Sequence, residues 1–224
     1  MIIFNQTMFQ KDYILRMIEQ FVKIFARILQ LKQEKQYPQA LQEIGEAYRL
    51  FFGLNPELID GMSDEDLTRF LKVHGQYDPE KRVALATLLN EEAEVLKLMQ
   101  TESISRKVKA FSIFLEAFAD SEAVRNEPNR LKIESILESL QKHELPFSVK
   151  KKQVAYYELT RRFDRAEDLL FELLDSNPSI IESAIAFYER LRTLPERTLA
   201  EGHLPLDEVE EGLRTVQARK TADG

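Results

Sequence analysis

The chain has 224 residues, enough to bury one substantial core or an extended stack of helical pairs. Its net charge of −7 argues against wholesale nucleic-acid binding, and the absence of cysteine excludes disulfides, cysteine-based zinc sites and a cysteine nucleophile. Glycine is scarce, while leucine, glutamate, alanine, lysine, arginine and glutamine dominate, so helix is favoured and no β-branched alternation stands out.

Near the N-terminus, Lys11, Asp12, Arg16, Glu19 and Lys23 interrupt the apolar run that a secretory leader or membrane span needs. The expected compartment is the cytoplasm, without membrane contact. Asn5 or Thr7 is the expected cap of a first helix running to about Glu34. Its apolar positions, Ile14, Met17, Ile18, Phe21, Ile24, Phe25, Ile28 and Leu31, recur at three and four. A stripe that long needs cover, either from later helices of the same chain or from a second copy in a homodimer.

Tyr37 and Pro38 open a second helix, with Ala40, Ile44 and Ala47 inward and Gly53 as its left-handed stop. Ser63, with Asp66 three residues on, reads as the cap of a short helix carrying Leu67, Phe70 and Leu71 and stopping near His74-Gly75. Asp78-Pro79 caps and starts the next, which bears Val83, Ala86, Leu89, Ala93 and Leu96. Ser103 or Ser105 precedes a helix with Phe111, Phe114 and Phe118 on its inner side, a core stripe rather than a cofactor box. Pro128 starts another, with Ile133, Ile136 and Leu140 inward. Ser148 is the expected cap of the helix after Pro146.

The stretch Tyr156–Pro178 then reads as a helix end, a tight turn, a second helix and a stop. Phe163 plugs the turn, and Ala166 lets two antiparallel helices approach closely. Ile181, Ala184, Ile185, Tyr188 and Leu191 mark a further helix. Pro195 to Pro205 reads as a loop, and Leu206, Val209, Leu213 and Val216 mark a last short helix. About nine helices are expected in one domain over 1–218, with 219–224 a fraying tail.

At specific positions this hairpin resembles a tetratricopeptide repeat. Tyr157, Phe163, Ala166, Leu170 and Pro178 fall at the first-helix aromatic, the turn aromatic, the small residue, the large apolar residue and the terminal proline. Gln153 and Val154 replace the usual Leu-Gly pair. Tyr37 and Ala40 repeat the spacing more weakly. The layout, carried by Asp12–Leu29, Arg162–Leu174 and Leu204–Leu213, also resembles a bacterial family of tetratricopeptide-like helical proteins of unknown function. The resemblance implies an all-α fold of stacked antiparallel helical hairpins in a right-handed superhelix, and brings no activity with it.

Catalytic and metal signatures are weak. His74, His143 and His203 have no second histidine and no glutamate at helical ligand spacing, so no metal and no cofactor is expected. Ser148 and Lys151 match S-x-x-K, but the partner motifs of serine acyl transferases do not follow. The notable surface feature is basic: Lys150, Lys151, Lys152, Arg161, Arg162 and Arg165. Glu158, Glu167 and Asp168 could balance it into an ordinary solvated face. The cluster could instead draw an acidic protein or peptide. Where some tetratricopeptide domains clamp a carboxylate with Lys and Asn, this chain has Lys151 and Ala155. The expected function is a noncatalytic interaction scaffold binding a protein or peptide, and no nucleic acid. The rivals are an enzyme whose pocket gathers groups such as Glu158, His143 and Tyr157, and a homo-oligomeric structural protein built on the first helix.

Overall fold

A computed structural model describes residues 2–73 and 76–222, with side chains at 16–72 and 78–221. It is helical, with twelve α-helices among the described residues. The chain divides into two compact units, Met1–Lys142 and His143–Gly224.

In the first unit, α1 (Ile2–Gln33) is followed by α2 (Tyr37–Ala47), α3 (Pro56–Gly61), α4 (Asp64–Phe70), α5 (Pro79–Leu98), α6 (Ile104–Asp120) and α7 (Glu127–Leu140). Two-residue segments, β1 (Lys72–Val73) and β2 (Gln76–Tyr77), pair antiparallel between α4 and α5. They flank His74, which lies outside the described residues. The α1 helix begins ahead of Asn5 and Thr7, so neither caps it. Both residues cost a helix interior only a few tenths of a kcal/mol, too little to set its start.

The expected caps at Ser63 and Asp78 are in place. Ser63 Oγ accepts from Asp66 N at 3.0 Å, and Asp78 Oδ1 accepts from Glu80 N and Lys81 N at 3.1 and 3.0 Å. Asn55 and Asn126 cap α3 and α7 in the same way. Beyond Ala47, α2 widens into a π-helical turn, Tyr48–Phe52, which ends on Gly53 at φ 67°. That left-handed conformation is one glycine adopts without Cβ strain. The α5–α6 pair is the centre of the unit, with Leu85, Leu89, Ala93, Phe111, Phe114 and Leu115 buried.

In the second unit, α8 (Phe147–Leu159) and α9 (Phe163–Ser176) form the hairpin. A 3-10 turn at Pro178–Ile180 leads to α10 (Ile181–Leu191), α11 (Glu196–Glu201) and α12 (Leu206–Ala222). Phe163, Ala166, Leu170, Leu173 and Leu174 are all buried. Ser148 does not cap α8. Pro146 holds that position with ψ 147°, and its carbonyl accepts from Val149 N and Lys150 N, each at 3.0 Å.

Twelve helices replace the expected nine or so, and two of the additions, α3 and α11, are six residues long. Fewer than two turns show no helical period, so their segments read as connections. The α12 helix continues to Ala222, with Arg219 paired to Asp175 at 2.6 Å and stacked over Phe171 at 5.4 Å.

Candidate functional site

Three consecutive residues on a helix point about 100° apart, so Lys150, Lys151 and Lys152 cannot share one face of α8. Lys150 is bound by Glu144 and by Glu172 at 2.6 Å, and these carboxylates hold its ammonium pKa above the usual lysine value. It is therefore neutralised locally. Lys152 is half-buried, while Lys151 is exposed.

The three arginines gather at the other end of the hairpin. Arg161 sits in the turn at φ 56°, a left-handed conformation unusual for a side chain-bearing residue. Arg162 is anchored: its guanidinium lies 4.7 Å from the Tyr157 ring centre and 5.1 Å from that of Tyr156, and its Nε donates to Thr160 Oγ1. Arg165 stands in the first turn of α9. Arg161 and Arg165 are exposed. Lys151 and Arg161 are ten residues apart, roughly 15 Å of helix rise. The six residues thus split into an end at Lys150–Lys152 and a corner at Arg161, Arg162 and Arg165.

Two of the three acids that could balance the cluster have other partners. Glu158 is held by Arg190 through two bonds of 2.7 Å. Glu167 accepts from Tyr188 Oη at 2.6 Å. Lys151, Ala155 and Glu158 lie three and four apart along α8, so the one acid on that stripe already has a counterion. Of the groups considered for an enzyme pocket, Glu158 has Arg190, Tyr157 accepts from Gln153 at 2.8 Å, and His143 is exposed. Ser148 sits in the first turn of α8, and Lys151 faces solvent.

Two open grooves lie on this unit. One, of about 420 Å³, is bordered by Glu196, Asp207 and Glu210. The other, of about 570 Å³, is bordered by Glu182, Glu189 and Lys220, with Lys220 and Glu182 paired at 2.5 Å. Their acidic borders repel an acidic partner. Among the described residues, no group of three His, Asp or Glu is arranged to hold a metal.

The first unit contains a polar network the sequence did not suggest. Arg106, 5% exposed, donates from Nε to Glu92 Oε2 at 3.0 Å and from Nη2 to Asp60 Oδ1 at 3.0 Å and to the Pro56 carbonyl at 3.1 Å. Tyr48, delivered by the π-helical turn, donates to the same Glu92 oxygen at 2.8 Å. Burial raises the Glu92 carboxyl pKa, while Arg106 opposes the rise. Burial, reinforced by Glu92, raises the Tyr48 phenol well above its usual value. Turns of this type recur at functional sites. Here, however, Tyr48, Glu92 and Arg106 are all enclosed, so the network ties α3, α5 and α6 to the end of α2 rather than facing a reactant. The sequence signal was Glu92 falling three and four residues from Leu88, Leu89 and Val95, on a helix buried almost all round.

Residues 8–221 match the model of a family of unknown function, DUF6483. No curated protein and no solved structure matches the chain.

Proposed function

This chain belongs to the DUF6483 family, whose function is unknown, and we propose that it is a noncatalytic interaction protein of the cytoplasm that binds an acidic segment of a protein or peptide along the α8–α9 hairpin. The observation that carries the reading is the pairing of Glu158 with Arg190. With that acid occupied, Lys151, Arg161 and Arg165 are exposed cations with less opposing charge than the sequence suggests. An extended segment of about five residues covers the roughly 15 Å between Lys151 and the arginine corner. Arg162, stacked on two tyrosines, gives that corner a fixed guanidinium rather than a mobile one.

The α8–α9 pair in this reading is a tetratricopeptide-like antiparallel hairpin. The burial of Phe163, Ala166 and Leu170 at the turn-aromatic, small and large positions supports it. Repeat surfaces bind by shape and scattered side chains, which accords with the lack of a catalytic motif. The test is capture from native cytosol with the full chain and with a Lys151→Glu/Arg161→Glu variant, read by mass spectrometry. A protein with an acidic segment, retained by the wild type and lost by the variant, supports the reading. Retention by both, or recovery of a small metabolite alone, overturns it.

A further inference from the structure

We propose that the middle of α1, around Ile18 and Val22, is a self-association surface that pairs antiparallel with the α1 of a second copy. The helix is 32 residues long, roughly 48 Å, and α2, which packs against it, has 11 residues, roughly 16 Å. Cover is accordingly uneven. Ile28 and Leu31 are buried, and the Phe21 ring meets Phe51 edge-on at 5.2 Å. On another face Ile18 is 47% exposed and Val22 58%. These two stand four apart and form one apolar strip near the middle of the helix.

The charges beside this strip identify its occupant. Asp12, Arg16, Glu19 and Lys23 alternate in sign at spacings of four, three and four. Arg16, Glu19 and Lys23 are exposed. The pattern is its own complement when reversed. An antiparallel copy centred between Met17 and Ile18 sets Asp12 at the level of Lys23 and Arg16 at the level of Glu19, twice over by two-fold symmetry. A parallel copy in register sets every charge beside its like, which is repulsive. The same centre brings the exposed Ile18 against its counterpart, so apolar contact and charge agree on one register. An isologous interface of this kind is closed, as a two-fold dimer requires. The surface lies in the first unit and is independent of the basic hairpin in the second.

The experiment is sedimentation velocity on the full chain over a wide concentration range, with circular dichroism on each variant to establish folding. The wild type is expected to form a concentration-dependent dimer, and Ile18→Glu/Val22→Glu to be a folded monomer. Lys23→Glu and Asp12→Lys each weaken the dimer, by about tenfold for two symmetry-related pairs, and the double exchange restores it. A wild type that stays monomeric at every concentration overturns the proposal. So does a dimer that neither the apolar nor the charge substitutions weaken, or one that the double exchange fails to restore.

Discussion

Phe163 and Gly202 are in direct contact at the corner of the α8–α9 hairpin. The Gly202 carbonyl accepts from Phe163 N at 3.1 Å, and a Cβ on Gly202 would lie 2.2 Å from Phe163 Cδ2. The same Cβ would lie 2.9 Å from the Arg161 carbonyl oxygen, which is backbone and cannot turn aside. Gly202 is therefore needed for space, not for conformation. We expect Gly202→Ala to destabilise the protein by about 1–3 kcal/mol through overpacking. Chemical denaturation measures it, and an unchanged midpoint would place the α11–α12 connection away from the hairpin.

Ala166 stands three residues after Phe163 in α9 and is fully buried. Ala166→Leu should cost about 1–3 kcal/mol for the same reason. If the substituted protein melts like the wild type, Ala166 is not at the close approach of α8 and α9.

Glu167 gives a pH-dependent test. Burial raises its carboxyl pKa, against the hydrogen bond from Tyr188, and the nearby Glu208 raises it further. A carboxyl with a folded pKa above its unfolded value binds more protons in the folded state over that interval, so stability falls as pH rises through it. Below about pH 4 the group is protonated in both states. Glu167→Gln removes this dependence while leaving an acceptor for Tyr188. The variant should gain melting temperature relative to wild type as pH rises from about 4 to 7. A flat difference over that range would show that Glu167 titrates as an ordinary surface carboxylate, and a reversed one that its carboxylate is stabilised by folding.

In the first unit, Glu92→Ala leaves the buried Arg106 without the carboxylate that meets its Nε. Removing one partner of a buried ion pair costs about 3–5 kcal/mol. Urea unfolding of the variant measures this, and a loss below about 1 kcal/mol would mean that Asp60 and the Pro56 carbonyl suffice for Arg106 without Glu92.

How much of this was legible in the chain depended on distance. The caps at Ser63 and Asp78 and the stop at Gly53 are set by neighbours within three residues, and they were readable. The cap assigned to Ser148 failed because Pro146, two residues earlier, already supplies the helix-opening geometry. Tyr48, Asp60, Glu92 and Arg106 meet across spans of 12 to 58 residues, and no local pattern announces such a meeting. The boundary between units at Lys142 and His143 falls in Gln141–Glu144, where no glycine- or serine-rich stretch marks a linker. The basic cluster was found by adjacency in sequence. Helical rotation and the length of α8 divide it, and Glu144 and Glu172 remove Lys150 from it.

Binding of an acidic segment by the exposed cations of the hairpin is measured as the affinity of the full chain for the acidic segment recovered by capture, at low and high salt, for wild type and for Lys151→Glu/Arg161→Glu. The double reversal should weaken binding by about tenfold or more, and salt should weaken binding by the wild type. The melting temperature should stay nearly constant, because exposed charges contribute little to stability. Binding that is insensitive to salt and survives both reversals would contradict recognition by these cations.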